Sequence, residues 1–132
     1  MPDKRASGGR TLAQRRVESR DNHSLPSNPI FVTADEPLLV FESLERAMAY
    51  LEWQDVEDSV YRGYDSDGRL IEFGTELVPK GLFRDKRVVA EVEPDPAHAD
   101  ELRLTLAHVL ALPETTSLDE LERAAVSRFG MT

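Results

Sequence analysis

The apolar positions of this chain fall into short blocks with two different periods. Ile30-Phe31-Val32-Thr33 and Leu38-Leu39-Val40-Phe41 are β-branched, aromatic and aliphatic runs, the composition that strands prefer. Asp35-Glu36-Pro37 separates them. Proline has no ladder donor, so the pair reads as a hairpin with Pro37 in its turn. Leu44, Ala47, Met48 and Leu51 then repeat at i, i+3, i+4 and i+7, which lines one helix face. Ser43 stands where an N-cap belongs, and the pattern predicts a helix over residues 43–54. Ser59 to Tyr64 and Arg69 to Phe73 flank Asp65-Ser66-Asp67-Gly68. A glycine supplies positive φ and aspartates tolerate turn geometry, so this is a hairpin with Tyr64 and Arg69 near the start of its strands.

Gly74, Pro79 and Gly81 predict a loop, from which Leu77, Val78, Leu82 and Phe83 return to anchor in the core. Lys86 to Glu93 alternates Val88, Ala90 and Val92 with Arg87, Val89, Glu91 and Glu93, as a half-buried strand does. Pro94-Asp95-Pro96 ends the sheet and opens a helix with Asp95 as its cap and Leu102, Leu106, Val109 and Leu110 as its stripe. Ser117 with Glu120 has capping-box spacing. It opens a last helix striped by Leu118, Leu121, Ala125 and Phe129 and stopped by Gly130. The order ββα-βββ-αα predicts an α+β fold, a small antiparallel sheet of about five strands with helices packed on it.

Residues 1–29 do not join that pattern. They are rich in Arg and Ser, poor in apolar side chains, and unable to bury enough surface to offset ordering entropy. We expect a disordered basic tail over 1–29, with at most a transient helix over Thr11 to Arg20, and a single domain over 30–132. Charge sharpens the division. The whole chain is −9 and residues 1–29 are +3, which leaves −12 on residues 30–132. Such a body repels phosphate backbones and argues against nucleic-acid binding by the domain. It attracts a cationic protein surface and speeds encounter with one. There is no cysteine, so disulfides and thiol catalysis are excluded. No run reaches the ~20 apolar residues of a membrane span, and no apolar core follows the basic N-terminus to make a signal peptide. The expectation is a cytoplasmic protein without membrane contact.

Catalytic and metal patterns are missing. With Gly68 set as sixth in an EF-hand loop, Gly63 falls first and Gly74 twelfth, where carboxylates are required. His23 belongs to the tail. His98 and His108 are separated by about 80° and about 15 Å on one helix, too far to share a metal. Neither HExxH nor a GxSxG elbow occurs, and carboxylate pairs in so acidic a chain arise by chance. Neither enzymatic activity nor a metal or cofactor is expected.

A binding module remains. Tyr50 to Glu72 holds the only Trp and all three Tyr among many carboxylates. The helix-to-strand loop and the hairpin turn are expected to gather Trp53, Asp55, Glu57, Asp58, Tyr61, Tyr64, Asp65 and Asp67 into one partner-binding surface. Its aromatics would be the anchors that dominate interface energetics.

The same stretch carries a family likeness. Ser43, Leu44, Glu45, Ala47, Tyr50, Leu51, Glu52, Asp55 and Val56, followed by Tyr61, Tyr64, Asp65, Gly68, Arg69 and Leu70, resemble small bacterial proteins regarded as immunity proteins of polymorphic toxin systems. The likeness covers roughly Phe31 to Ala111 and leaves out the tail and the last helix. It implies an inhibitor whose acidic face occludes the basic groove of a toxin domain, and it carries over no catalytic or metal residue. The competing reading is a regulatory or structural adaptor, homodimeric and contacting its partner through the tail.

Overall fold

The computed structural model describes residues 26–34, 38–58 and 61–132. Expectations for the tail up to residue 25, including its transient helix and His23, lie outside the described residues, as does the turn at Pro37. Five antiparallel strands form one sheet in the order β2-β1-β3-β4-β5: β1 Ile30–Thr33, β2 Leu39–Phe41, β3 Arg62–Tyr64, β4 Leu70–Lys80 and β5 Phe83–Val92. Four described helices accompany it, α1 Leu44–Tyr50, α2 Trp53–Asp58, α3 Ala99–Leu110 and α4 Leu118–Phe129. The chain is thus an α+β fold.

Strand alternation divides the core in two. Phe31, Val40, Tyr64 and Leu70 point to one face of the sheet, where they meet Leu102, Leu106 and Leu110 of α3 and Leu121 and Ala125 of α4. Ile30, Val32, Phe41, Ile71, Ala90 and Val92 point to the other and pack with Leu44 and Ala47 of α1. The sheet therefore lies between two helical layers. Local caps form where the residues predict them. The Arg46 N–H donates to Ser43 Oγ at 3.2 Å, and the Glu120 N–H donates to Ser117 Oγ at 3.3 Å.

Three expectations are corrected. The helix predicted over 43–54 is two helices, because Leu51 is extended at ψ 134. The break keeps Leu51 buried while re-aiming Trp53–Asp58 onto the sheet, a tertiary override of local propensity. The C-terminal pair opens at His98 rather than Asp95: α3 has His98 as its N-cap, without a side-chain cap bond, and the His98 N–H donates instead to Gly68 O at 2.9 Å.

The largest correction concerns residues 74–85. They form no anchoring loop. Strands β4 and β5 run unbroken from the Ile71↔Val92 pair to the Lys80↔Phe83 pair, turning at Gly81 with φ 62. Strand β3 pairs with β4 only as far as Glu72, so over the next stretch of about 26 Å, at ~3.3 Å per residue, β4 and β5 pair only with each other. We call this extension the arm.

Ser27 belongs to the folded body. Its carbonyl accepts from the Ser66 N–H at 3.0 Å, and its own N–H donates to Asp65 Oδ2 at 3.0 Å.

Candidate protein-binding face

The expected cluster does not assemble in one place. Its members divide between α2, which lies on the side of the sheet bearing Ile71 and Phe73, and the β3–β4 turn, whose Tyr64 enters the opposite core.

At the turn the acidic and aromatic side chains are structural. Asp65 is 0% exposed and Tyr64 1% exposed, so neither presents surface to a partner. Asp65 Oδ1 accepts from the N–H groups of Asp67 at 2.9 Å and Arg69 at 2.8 Å. Its Oδ2 accepts from Arg69 Nη1 at 3.2 Å as well as from Ser27. A carboxylate buried in an otherwise apolar region requires such partners, and here they hold the turn shut. Asp67 is half exposed, yet it accepts from Ser27 Oγ at 2.6 Å and Arg69 Nη1 at 2.9 Å. These bonds, Ser27 first, lower its pKa.

Tyr64 is held from the other side. Its hydroxyl donates to Glu101 Oε2 and accepts from Arg62 Nε at 3.0 Å. Burial above all, then Glu101, raises the Tyr64 pKa. Arg62 also donates to Glu101 through Nε at 2.6 Å. The triad fastens the start of α3 to β3. Tyr61 is half-buried against the core beneath α1.

On α2 the picture differs residue by residue. Trp53 is half-buried, with Lys86 Nζ 4.8 Å from its ring centroid, a cation–π distance. The same ammonium donates to Glu57 Oε2 at 2.7 Å, and Thr75 Oγ1 donates to that oxygen at 2.8 Å. The Lys86 bond first, then the Thr75 bond, lowers the Glu57 pKa. Trp53 and Glu57 thus clamp α2 to the base of the arm. Asp55 and Asp58, by contrast, are exposed.

Around those two stand acids that the expected site omitted. Glu42, Glu45 and Glu52 are exposed along the α1–α2 layer, where Arg46 is exposed and paired with Glu42 at 3.8 Å. Tyr50 of the same stretch is 53% exposed, with its ring centroid 5.4 Å from that of Phe41. Its signal was in the sequence, since it falls outside the Leu44/Ala47/Met48/Leu51 stripe. The exposed acids of α1–α2 outside the clamp and the Glu42–Arg46 pair are therefore Glu45, Glu52, Asp55 and Asp58, with Tyr50 exposed in the same stretch of chain.

A second exposed feature went unread. Leu77, Leu82 and Phe83 at the arm's end are large apolar side chains in contact with solvent.

Among the described residues no group of His, Asp or Glu is arranged to hold a metal ion, and no helix is long and apolar enough to cross a membrane. No protein-family model, curated protein or solved structure matches the chain.

Proposed function

We propose that this chain is a protein-binding module that engages a basic partner through the outer side of α1–α2. The observation that carries the reading is the exposure of Glu45, Glu52, Asp55 and Asp58 together with Tyr50 along α1–α2, in a body (residues 30–132) of net charge −12. Carboxylates steer a cationic surface into encounter, and a half-rooted aromatic ring supplies the apolar anchor around which such an interface is organised.

The specific form of this reading is an immunity-type inhibitor acting in the cytoplasm, whose acidic face covers the basic groove of a toxin domain. The resemblance of the Ser43–Leu70 stretch supports it, as does the clamp that holds α2 rigidly to the sheet, since a pre-ordered face loses little freedom on binding. Occlusion needs no catalytic group from the inhibitor.

The test is co-purification of the tagged chain with the product of the neighbouring gene, followed by co-expression in a growth assay. A stable complex that rescues growth, and fails to form when Glu52, Asp55 and Asp58 are changed to Lys, is the expected result. Growth rescue that survives this triple reversal would place the binding surface elsewhere.

A further inference from the structure

Among the described helices, α2 is the one without a buried side chain. It is six residues long and buries none of them, whereas α1, α3 and α4 each bury at least two. So short a helix does not persist on its own hydrogen bonds, so docking decides whether α2 is formed. Its contact face is narrow. Trp53, Val56 and Glu57 stand at i, i+3 and i+4, which is one side of a helix, and the two apolar members are half-buried. The helical ladder is interrupted at Leu51, which is extended at ψ 134 and buried. Helix α2 therefore leaves the sheet without unwinding α1.

The polar contacts of α2 converge on one ammonium. Among the described residues, the bonds from the sheet to α2 side chains end on Glu57 Oε2, which accepts from Lys86 Nζ at 2.7 Å and from Thr75 Oγ1 at 2.8 Å. The same Nζ lies 4.8 Å from the centroid of the Trp53 ring. Lys86 thus holds both the first and the fifth residue of the helix. Its side chain is 33% exposed and that of Glu57 37%, so water and salt reach the pair. At such sites an ion pair or a cation–π contact shifts an equilibrium only a few-fold.

Beneath the helix the ribbon is apolar. The Thr75↔Val88 and Leu77↔Lys86 pairs put these four side chains on one side of the ribbon, and alternation along β4 adds Phe73. Phe73 and Val88 are half-buried, while Leu77 is exposed. Lifting α2 adds apolar surface to that already presented by Leu77.

We propose that α2 is a lid on the β4–β5 ribbon, latched through Lys86, that undocks as a unit while the sheet stays folded. Docked, it presents Asp55 and Asp58 on an ordered helix. Undocked, it releases both acids and bares the Phe73 and Val88 side of the ribbon. Lys86 is then a positioning residue for the face assigned above to a basic partner, and this consequence rests on that reading. Its charge has the wrong sign to attract a cation, yet it keeps the acids in place.

Hydrogen exchange of the full chain, followed amide by amide, tests the lid without any partner. The Val56 N–H, bonded to Glu52 O at 3.0 Å, reports on α2, and the ladder amides of β5 report on the sheet. In the wild type the protection factor of Val56 is expected to lie at least about tenfold below those of β5. Lys86→Met keeps the apolar stem and removes the ammonium. It is expected to lower Val56 protection by a further factor of about ten and to raise acrylamide quenching of Trp53, the only tryptophan, with β5 unchanged. Lys86→Arg keeps a cation against both the ring and the carboxylate and restores wild-type exchange and quenching. A role in apolar packing alone would be served as well by methionine. Wild-type exchange of Val56 in step with β5 overturns the proposal, as does a Lys86→Met chain whose Val56 protection is unchanged or whose β5 amides are quickened equally. These results are read on the chain alone, so their failure leaves the partner reading standing.

Discussion

Arg69 Nη1 stands 3.2 Å from Asp65 Oδ2 inside the β3–β4 turn, and the same nitrogen reaches Asp67 Oδ2 at 2.9 Å. One guanidinium thus joins a buried carboxylate to a half-exposed one, while Arg69 Nε donates to Pro94 O at 3.2 Å and ties the turn to the end of β5. Removing the buried member takes from Arg69 one of its two carboxylates and leaves the N–H groups of Ser27, Asp67 and Arg69 without their acceptor. Asp65→Ala is expected to cost about 3–5 kcal/mol, the range for breaking a buried pair, measured by denaturant unfolding. A loss under about 1 kcal/mol, the scale of an exposed pair, would show that the turn closes without Asp65.

Gly68 carries a second constraint. Its φ is +91, and a Cβ built there would lie 2.3 Å from Ala99 Cα and 2.4 Å from Ala99 N. The obstacle is the backbone at the start of α3, which cannot rotate aside as a side chain would. Gly68→Ala and Gly68→Val are both expected to be destabilising by more than the ~1 kcal/mol that positive φ alone imposes. The expected readout is a lower thermal midpoint and early loss of α3 protection in hydrogen exchange. An alanine variant that melts with wild type would mean that α3 moves off the turn at little cost.

That contrast shows what the residues declare and what they conceal. The turn at Gly68, the caps at Ser43 and Ser117 and the alternation of β5 depend on neighbours within a few positions, and all are visible in sequence. The approach of Gly68 to Ala99 depends on a fold that joins segments thirty residues apart. The burial of Asp65 depends on the convergence of Ser27 and Arg69 upon it, so an acid that reads as surface becomes interior. The arm was missed for a related reason. Gly74, Pro79 and Gly81 punctuate like a loop, whereas cross-strand pairing with Phe83 to Val89 supplies a ladder that carries through them. Apolar Leu82 and Phe83 read as core because burial is the usual fate of such residues, and only the ribbon's length places them in solvent. The candidate site was half legible: its α2 acids and Trp53 lie together, while Tyr64 and Asp65 serve the opposite side of the sheet.

Glu122 makes the domain's stability depend on pH. Its Oε2 is buried without a hydrogen-bond partner. Burial first, then Asp119, Asp67 and Asp65, pushes its carboxyl from an ordinary 4.5 up to about 8. The folded state therefore keeps a proton that the unfolded chain gives up above pH 4.5, and between those two values the folded state binds more protons. Stability must fall as pH rises through that window. Glu122→Gln removes the titration. It is expected to gain about 1–2 kcal/mol over wild type at pH 9 after allowance for solvent screening, and nothing at pH 4. Parallel melting curves for the two proteins across that range would show that Glu122 ionises freely.

Glu57 and Asp55 are two positions apart on α2 and are expected to fail in different ways. Glu57 is held by Lys86 and Thr75, and its lowered pKa means that its contribution is present above pH 4.5 and lost as pH falls through the folded value. Glu57→Gln is expected to loosen α2 from the arm and to alter Trp53 fluorescence, because the Lys86 ammonium over that ring loses its anion. Asp55→Lys with Asp58→Lys touches neither clamp, so Trp53 emission and the thermal midpoint should stay as they are. Its effect belongs to encounter. Association with a basic partner should slow by about tenfold or more at low salt, and the difference should shrink as salt rises. Stopped-flow association at two salt concentrations separates the two variants. A double reversal that leaves the low-salt rate unchanged would remove the outer side of α2 from the binding surface.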